Sequence, residues 1–111
     1  MELSESKRQG VIILGLKGRL DASNAASLEG KVLSLVAAGE TRLVFDLAQL
    51  DYISSAGLRV LLMAAKRLMR PSGQVALAAP QEHVKEVFEI AGFSSILKIY
   101  PSRDAALVAL Q

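Results

Sequence analysis

Few side chains in this sequence have the types and spacing to do chemistry. They are the adjacent pair Ser54 and Ser55, the aspartates Asp21, Asp46 and Asp51, and the one histidine, His83. A serine nucleophile needs a nearby base and a site for the oxyanion it creates. His83 sits in "QEHVKE" at the start of a different predicted helix, where it reads as a solvent-facing polar residue. "SSAGL" is not the G-x-S-x-G elbow, and neither G-x-x-x-x-G-K-[ST] nor G-x-G-x-x-G occurs. The three aspartates are single carboxylates near predicted strand ends, which capping and loop hydrogen bonds explain without acid–base chemistry. The absence of cysteine removes a thiolate nucleophile, a disulfide framework and a cysteine-ligated zinc site. Neither an enzyme nor a metal or cofactor site is expected.

Modification remains. Ser54 and Ser55 stand at the mouth of the longest predicted helix, with Gly57 two residues on. A helix N-terminus has unpaired N–H groups and about half a unit of positive charge. Either serine can cap it. The other is left at the same exposed end, where a phosphoryl group would be favoured by the dipole and the free amides. Gly57 leaves room in the first turn for a backbone or a ligand to approach. The serine pair is thus either a cap with a bystander or a cap with a charge switch.

The elements that position this pair can be read from the hydrophobic pattern. The chain has 111 residues, 51% hydrophobic and 22% charged, enough for one domain, residues 1–111, with one core. The run Val11–Leu16 reads as a buried strand, and "ELSESKRQ" before it as a polar edge strand. Asp21 is the expected N-cap of a helix that buries Ala25, Leu28, Val32 and Leu35 and stops at Gly39. "TRLVFDL" is a second buried strand, expected to end at Asp46, and "QVALAA" a third. A helix in "QEHVKEVFEIAG" places Val84, Val87, Phe88 and Ala91 on one face. "SILKIY" is a short strand, and "SRDAALVAL" a helix capped by Ser102. Strands alternating with helices imply parallel pairing through crossovers.

The helix that opens at Ser55 is amphipathic and is expected to end at Pro71. Leu58, Leu61, Leu62, Ala65, Leu68 and Met69 form its predicted core stripe. Val60, Met63 and Ala64 are apolar but off that stripe, and Arg59, Lys66 and Arg70 run alongside Met63. This outer surface is either a solvated face with scattered apolar residues or a docking surface rimmed by cations. The net charge of +2 and the two tyrosines, three phenylalanines and no tryptophan offer little for nucleic-acid binding. No apolar run is long enough to span a membrane, and "MELSESKRQG" lacks a signal peptide's apolar segment, so a cytoplasmic protein is expected.

Three segments together, "LKGRLDASNAASLE", "LVFDLAQLDYISSAGLRVLL" and "VFEIAGFSSILKIYPSRDAAL", resemble the STAS domain, specifically the bacterial anti-sigma factor antagonists. The resemblance covers almost the whole chain. It implies an α/β fold with a mostly parallel four-stranded core sheet, an N-terminal edge strand and four helices mainly on one side. It also implies a binding module, monomeric or weakly dimeric. Such a module docks on an anti-sigma factor that is also a serine kinase, is switched off by phosphorylation, and is restored by a serine phosphatase. The family's loop reads Asp-Ser-Ser/Thr-Gly-Leu. Aligned through Gly57 and Leu58, Ser54 takes the place of the aspartate, Ser55 that of the phosphorylated serine, and Ala56 that of the second hydroxyl residue. Ser55 is the expected target, with Ser54 the alternative. Asp21 matches a loop aspartate near the switch, and Asp46 the aspartate ending the strand. With Arg59, Val60 and Met63, these residues make up the expected switch loop and partner surface. A STAS scaffold or small-ligand sensor without a phosphorylation cycle is the other reading.

Overall fold

The computed structural model of the chain describes residues 1–69, 73–93 and 96–111. The side chain of Met69, together with Arg70, Pro71 and the start of the "SILKIY" strand, lies outside what is described. Five strands and four helices follow in the order β1 (Glu2–Arg8), β2 (Val11–Leu20), α1 (Ala25–Ala37), β3 (Arg42–Ile53), α2 (Ser55–Met69), β4 (Gln74–Ala78), α3 (Glu82–Ile90), β5 (Lys98–Tyr100) and α4 (Arg103–Leu110).

The strands form one sheet in sequence order. β1 pairs antiparallel with β2 across a tight turn in which Gln9 and Gly10 both have positive φ. Every other pairing is parallel. β1 is exposed along its whole length and carries Glu5, Lys7 and Arg8, charges that discourage pairing at an open edge.

Because side chains alternate across a strand, the sheet builds two cores. Ile12, Leu14, Leu43, Phe45 and Leu77 face α1, α2 and α3. Val11, Ile13, Val44, Ala76 and Ala78 face α4, whose Ala106, Leu107 and Leu110 cover them. The helices therefore lie three to one, and the small Ala76 and Ala78 leave room for α4.

β3 runs seven residues beyond the expected stop at Asp46. Its later core residues, Leu47, Leu50 and Ile53, are spaced by three, not two. Register shifts against β2 account for this. Gly15 and Lys17 lie opposite Asp46 and Gln49, and Gly18 and Arg19 lie opposite Leu50 and Tyr52, so β3 carries an extra residue at each step.

The α2 stripe is wider than expected. Leu61, Ala65 and Leu68 are buried as anticipated, and Leu58 and Leu62 are half-buried against the core. Val60 and Ala64, expected off the stripe, are core residues at 6% and 0% exposure. The reason is that α2 packs on both the sheet and α1, so two sides of the helix are covered. Ala91 is exposed and closes α3 before Gly92, which has φ of 76°.

Candidate functional site

The serine pair sits where two parallel strands end together. Leu20 is opposite Ile53 in the β2–β3 register, and the Ser54 N–H donates to the Leu20 carbonyl at 2.9 Å. α2 starts at once. The Ser54 carbonyl accepts from Leu58 N–H at 2.9 Å, and the Ser54 hydroxyl accepts from Gly57 N–H at 3.2 Å. Ser54 is the N-cap and is half-buried. Ser55 is the first helical residue, is exposed, and has no side-chain hydrogen bond among the described residues. The N–H groups of Ser55 and Ala56 are also without partners there. The two hydroxyls thus divide: one holds the helix, the other is free.

Gly57 is buried, and the approach it allows comes from the chain itself. A Cβ there would lie 2.7 Å from Leu20 Cγ and 2.9 Å from Ile53 Cγ1. The glycine lets the first turn of α2 rest on the two strand ends, which corrects the expectation of space for a ligand. Ala56 is half-buried and packs on the same core.

Asp21 follows Leu20 and so lies at the strand end beside Ser54. It is not the N-cap of α1, as its position suggested; Asn24 occupies that place. The Asp21 carboxylate accepts from the Ser23 hydroxyl at 2.6 Å and from the Ser23 N–H at 3.0 Å. These bonds, the hydroxyl first, hold its pKa below the ordinary carboxylate value. The Asp21 N–H donates to Asn24 Oδ1 at 3.0 Å, and Asn24 Nδ2 donates to the Arg19 carbonyl at 2.8 Å. A turn thus intervenes before the helix, because the Asp21 and Asn24 side chains bond to nearby backbone and the Ser23 hydroxyl to Asp21.

Between α1 and α2 runs a groove of about 370 Å³ beside Ser55. Ala22, Ala25, Ala26 and Glu29 line one wall, and Ala56, Arg59, Val60 and Met63 the other. Arg59 is exposed and Met63 half-buried, while Val60 is floor, not projecting surface. A shallower hollow continues along Arg59, Leu62, Met63, Lys66 and Arg67. Ser55, Ala56, Arg59 and Met63 are therefore brought together, with Asp21 at the neighbouring strand end.

Asp46 is not part of this group. It projects from the α4 face of the sheet, where its carboxylate accepts from Ala48 N–H at 3.1 Å and stands 3.9 Å from Arg103 Nη1. His83, expected to face solvent, is exposed but bonded: its Nε2 lies 2.6 Å from the Asp51 carbonyl. That carbonyl can only accept, so Nε2 carries the proton and is not a free base for Ser55. Gln81 escaped the sequence reading. Its Nε2 donates to the Leu50 carbonyl at 3.0 Å and to Asp51 Oδ1 at 3.2 Å, tying α3 to the end of β3. Arg19 was also missed; its guanidinium lies 4.1 Å from the Tyr52 ring centre. Neither pairing has a local sequence signal, since each joins distant segments or successive strands. Among the described residues no group of three or more His, Cys, Asp or Glu could hold a metal, and no helix is long and apolar enough to cross a membrane.

A family model described as the STAS domain matches residues 3–106. The chain is 46% identical over 111 residues to BtrV of Bordetella bronchiseptica, which carries the name anti-sigma factor antagonist provisionally; the match covers 100% of this chain and 96% of BtrV. A crystal structure from Thermotoga maritima, provisionally given the same description, superposes with a TM-score of 0.93 at 24% identity, covering 97% of this chain and 93% of that one. The Bacillus cell fate determinant SpoIIAA in its phosphorylated form superposes with a TM-score of 0.79 at 17% identity, covering 99% and 100%. The chain belongs to the STAS family, in the group whose members are named anti-sigma factor antagonists.

Proposed function

We propose that this protein binds an anti-sigma factor that is also a serine kinase, and that phosphorylation of Ser55 ends the interaction. The observation that carries the reading is the division of the two serines: Ser54 is bonded as the cap, and Ser55 is exposed and unbonded, next to Ala56 of the groove. That the SpoIIAA fold has been seen phosphorylated is consistent with this. The unmodified groove, apolar at Ala25, Ala56 and Met63 and rimmed by Arg59, takes the partner. In the transfer step the Ser55 hydroxyl attacks the γ-phosphorus of ATP. The Oγ–P bond forms, ADP leaves, and the hydroxyl proton passes to a base on the kinase. A phosphatase reverses the modification by hydrolysis, returning serine and inorganic phosphate.

The added charge is roughly −1.5 to −2 at pH 7. At an exposed helix N-terminus it is favourable by about 0.3–1 kcal/mol, so the fold is kept. Against the partner it must be desolvated, at a cost of several kcal/mol, and each ~1.4 kcal/mol is a tenfold loss of affinity. Freed anti-sigma factor can then hold its sigma factor again, which links the switch to transcription. Incubation with the cognate kinase and ATP, followed by phosphosite mapping, tests the proposal. Phosphate on Ser55 is expected, and Ser55→Ala should abolish it. Phosphate on Ser54 alone would move the switch by one residue. Phosphate on neither serine would favour a scaffold or ligand-sensing role outside a phosphorylation cycle.

A further inference from the structure

Arg59 stands one helical turn beyond Ser55, and both side chains are exposed. Residues four apart on an α-helix have Cβ atoms about 5–6 Å from each other, and an anion on the N-terminal side of a cation is the better orientation. Arg59 has no other claim on it. Among the described residues it makes no ion pair or hydrogen bond, although Glu29 lines the opposite wall of the groove. The first turn of α2 carries no acidic side chain. The other charges at this end are engaged: Asp21 with Ser23, and Arg19 over Tyr52.

We propose that Arg59 is the intramolecular partner of the phosphoryl group on Ser55, so that phosphorylation adds an anion and also withdraws the groove's cation from the docking partner. The inference rests on the Ser55 reading above. A planar guanidinium presents a fork that matches two phosphoryl oxygens. In the unmodified protein Arg59 borders both the groove and the hollow that runs on to Lys66 and Arg67, where it can meet an acidic group of the partner. In the phosphoprotein it is drawn back one turn toward the helix N-terminus. The switch then has two parts: an anion is added at the rim of the groove, and a cation is turned away from the docking partner.

The test uses protein with phosphoserine built in at position 55 during translation, so no kinase is needed. Phosphorus-31 NMR follows the second ionisation of the phosphoserine in the native background and in Arg59→Gln and Arg59→Lys. The nitrogen-15 signal of Arg59 Nε is followed with and without the phosphoryl group. The pairing predicts a second pKa lower than in Arg59→Gln by roughly a few tenths of a unit or more, as a helical pair would supply. Arg59→Lys should recover part of the shift, and the Arg59 Nε signal should move and become more ordered on phosphorylation. Equal pKa values in the native background and in Arg59→Gln overturn the proposal, whatever the Nε signal does. A cognate kinase that fails to modify Ser55 would instead remove the Ser55 reading and leave this result standing.

Discussion

The two sides of α2 carry different burdens. Its inner side, Gly57, Val60, Leu61, Ala64, Ala65 and Leu68, is buried against the sheet and α1. On its outer side Ser55 is exposed, and Arg59 and Met63 line a groove against α1. The difference teaches how one helix can be both a structural member and a switch. Packing on one side fixes the helix, so that the proposed phosphorylation on the other would change a surface without changing the fold.

The contrast can be broken most sharply from within. Leu61→Ala removes a fully buried side chain and should cost about 2–5 kcal/mol of stability, read by urea denaturation. A loss comparable to that of a surface substitution would mean that the inner side is not the anchor. Met63→Glu, two positions on, puts a charge into the apolar part of the groove. It should weaken partner binding by about 1–3 kcal/mol in a titration and move the melting temperature little. Unchanged affinity would place the docking surface elsewhere. Ser54→Ala removes the cap bond to Gly57 N–H and should cost about 1 kcal/mol of stability, while Ser55 remains open to phosphorylation.

The smallest effect belongs to Asp21. Its pKa is lowered in the folded state by the bonds from Ser23. A carboxylate with a depressed folded pKa stabilises the fold above its unfolded pKa and loses that contribution as pH falls through the folded value. Asp21→Asn should therefore lower stability at neutral pH and flatten the acid limb below pH ~4, so that the two proteins converge as the pH falls. An unaltered acid limb would show that the Ser23 bonds do not distinguish the charged form.

Much of this was legible in the sequence because it depends on local rules. The Ser102 cap on Ala105 N–H, the helical stops at Gly39 and Gly92, and the buried Ala25, Leu28, Val32 and Leu35 all follow from capping and periodicity. What escaped depends on neighbours. Val60 and Ala64 are buried because α1 covers a second side of α2, which no single-helix pattern encodes. β3 hid its length because the register shifts changed its core spacing from two to three, so Leu47, Leu50 and Ile53 did not read as a strand. Asp21 looked like a cap since aspartate caps well, but three cap-forming residues stand within "DASN" and the last of them holds the position. Asp46 aligns with the family motif, yet strand alternation sends it to the α4 face, away from the serines. The serine pair itself was visible, and the family resemblance pointed to Ser55, while deciding which of the two caps the helix needed the bond from Gly57 N–H to Ser54 Oγ.

The most direct test of the account is the affinity of the cognate anti-sigma factor for protein carrying phosphoserine at position 55, titrated beside the unmodified protein at the same temperature and salt. The account predicts binding at least about tenfold weaker, equivalent to ~1.4 kcal/mol or more. Equal affinity of the two forms would contradict it.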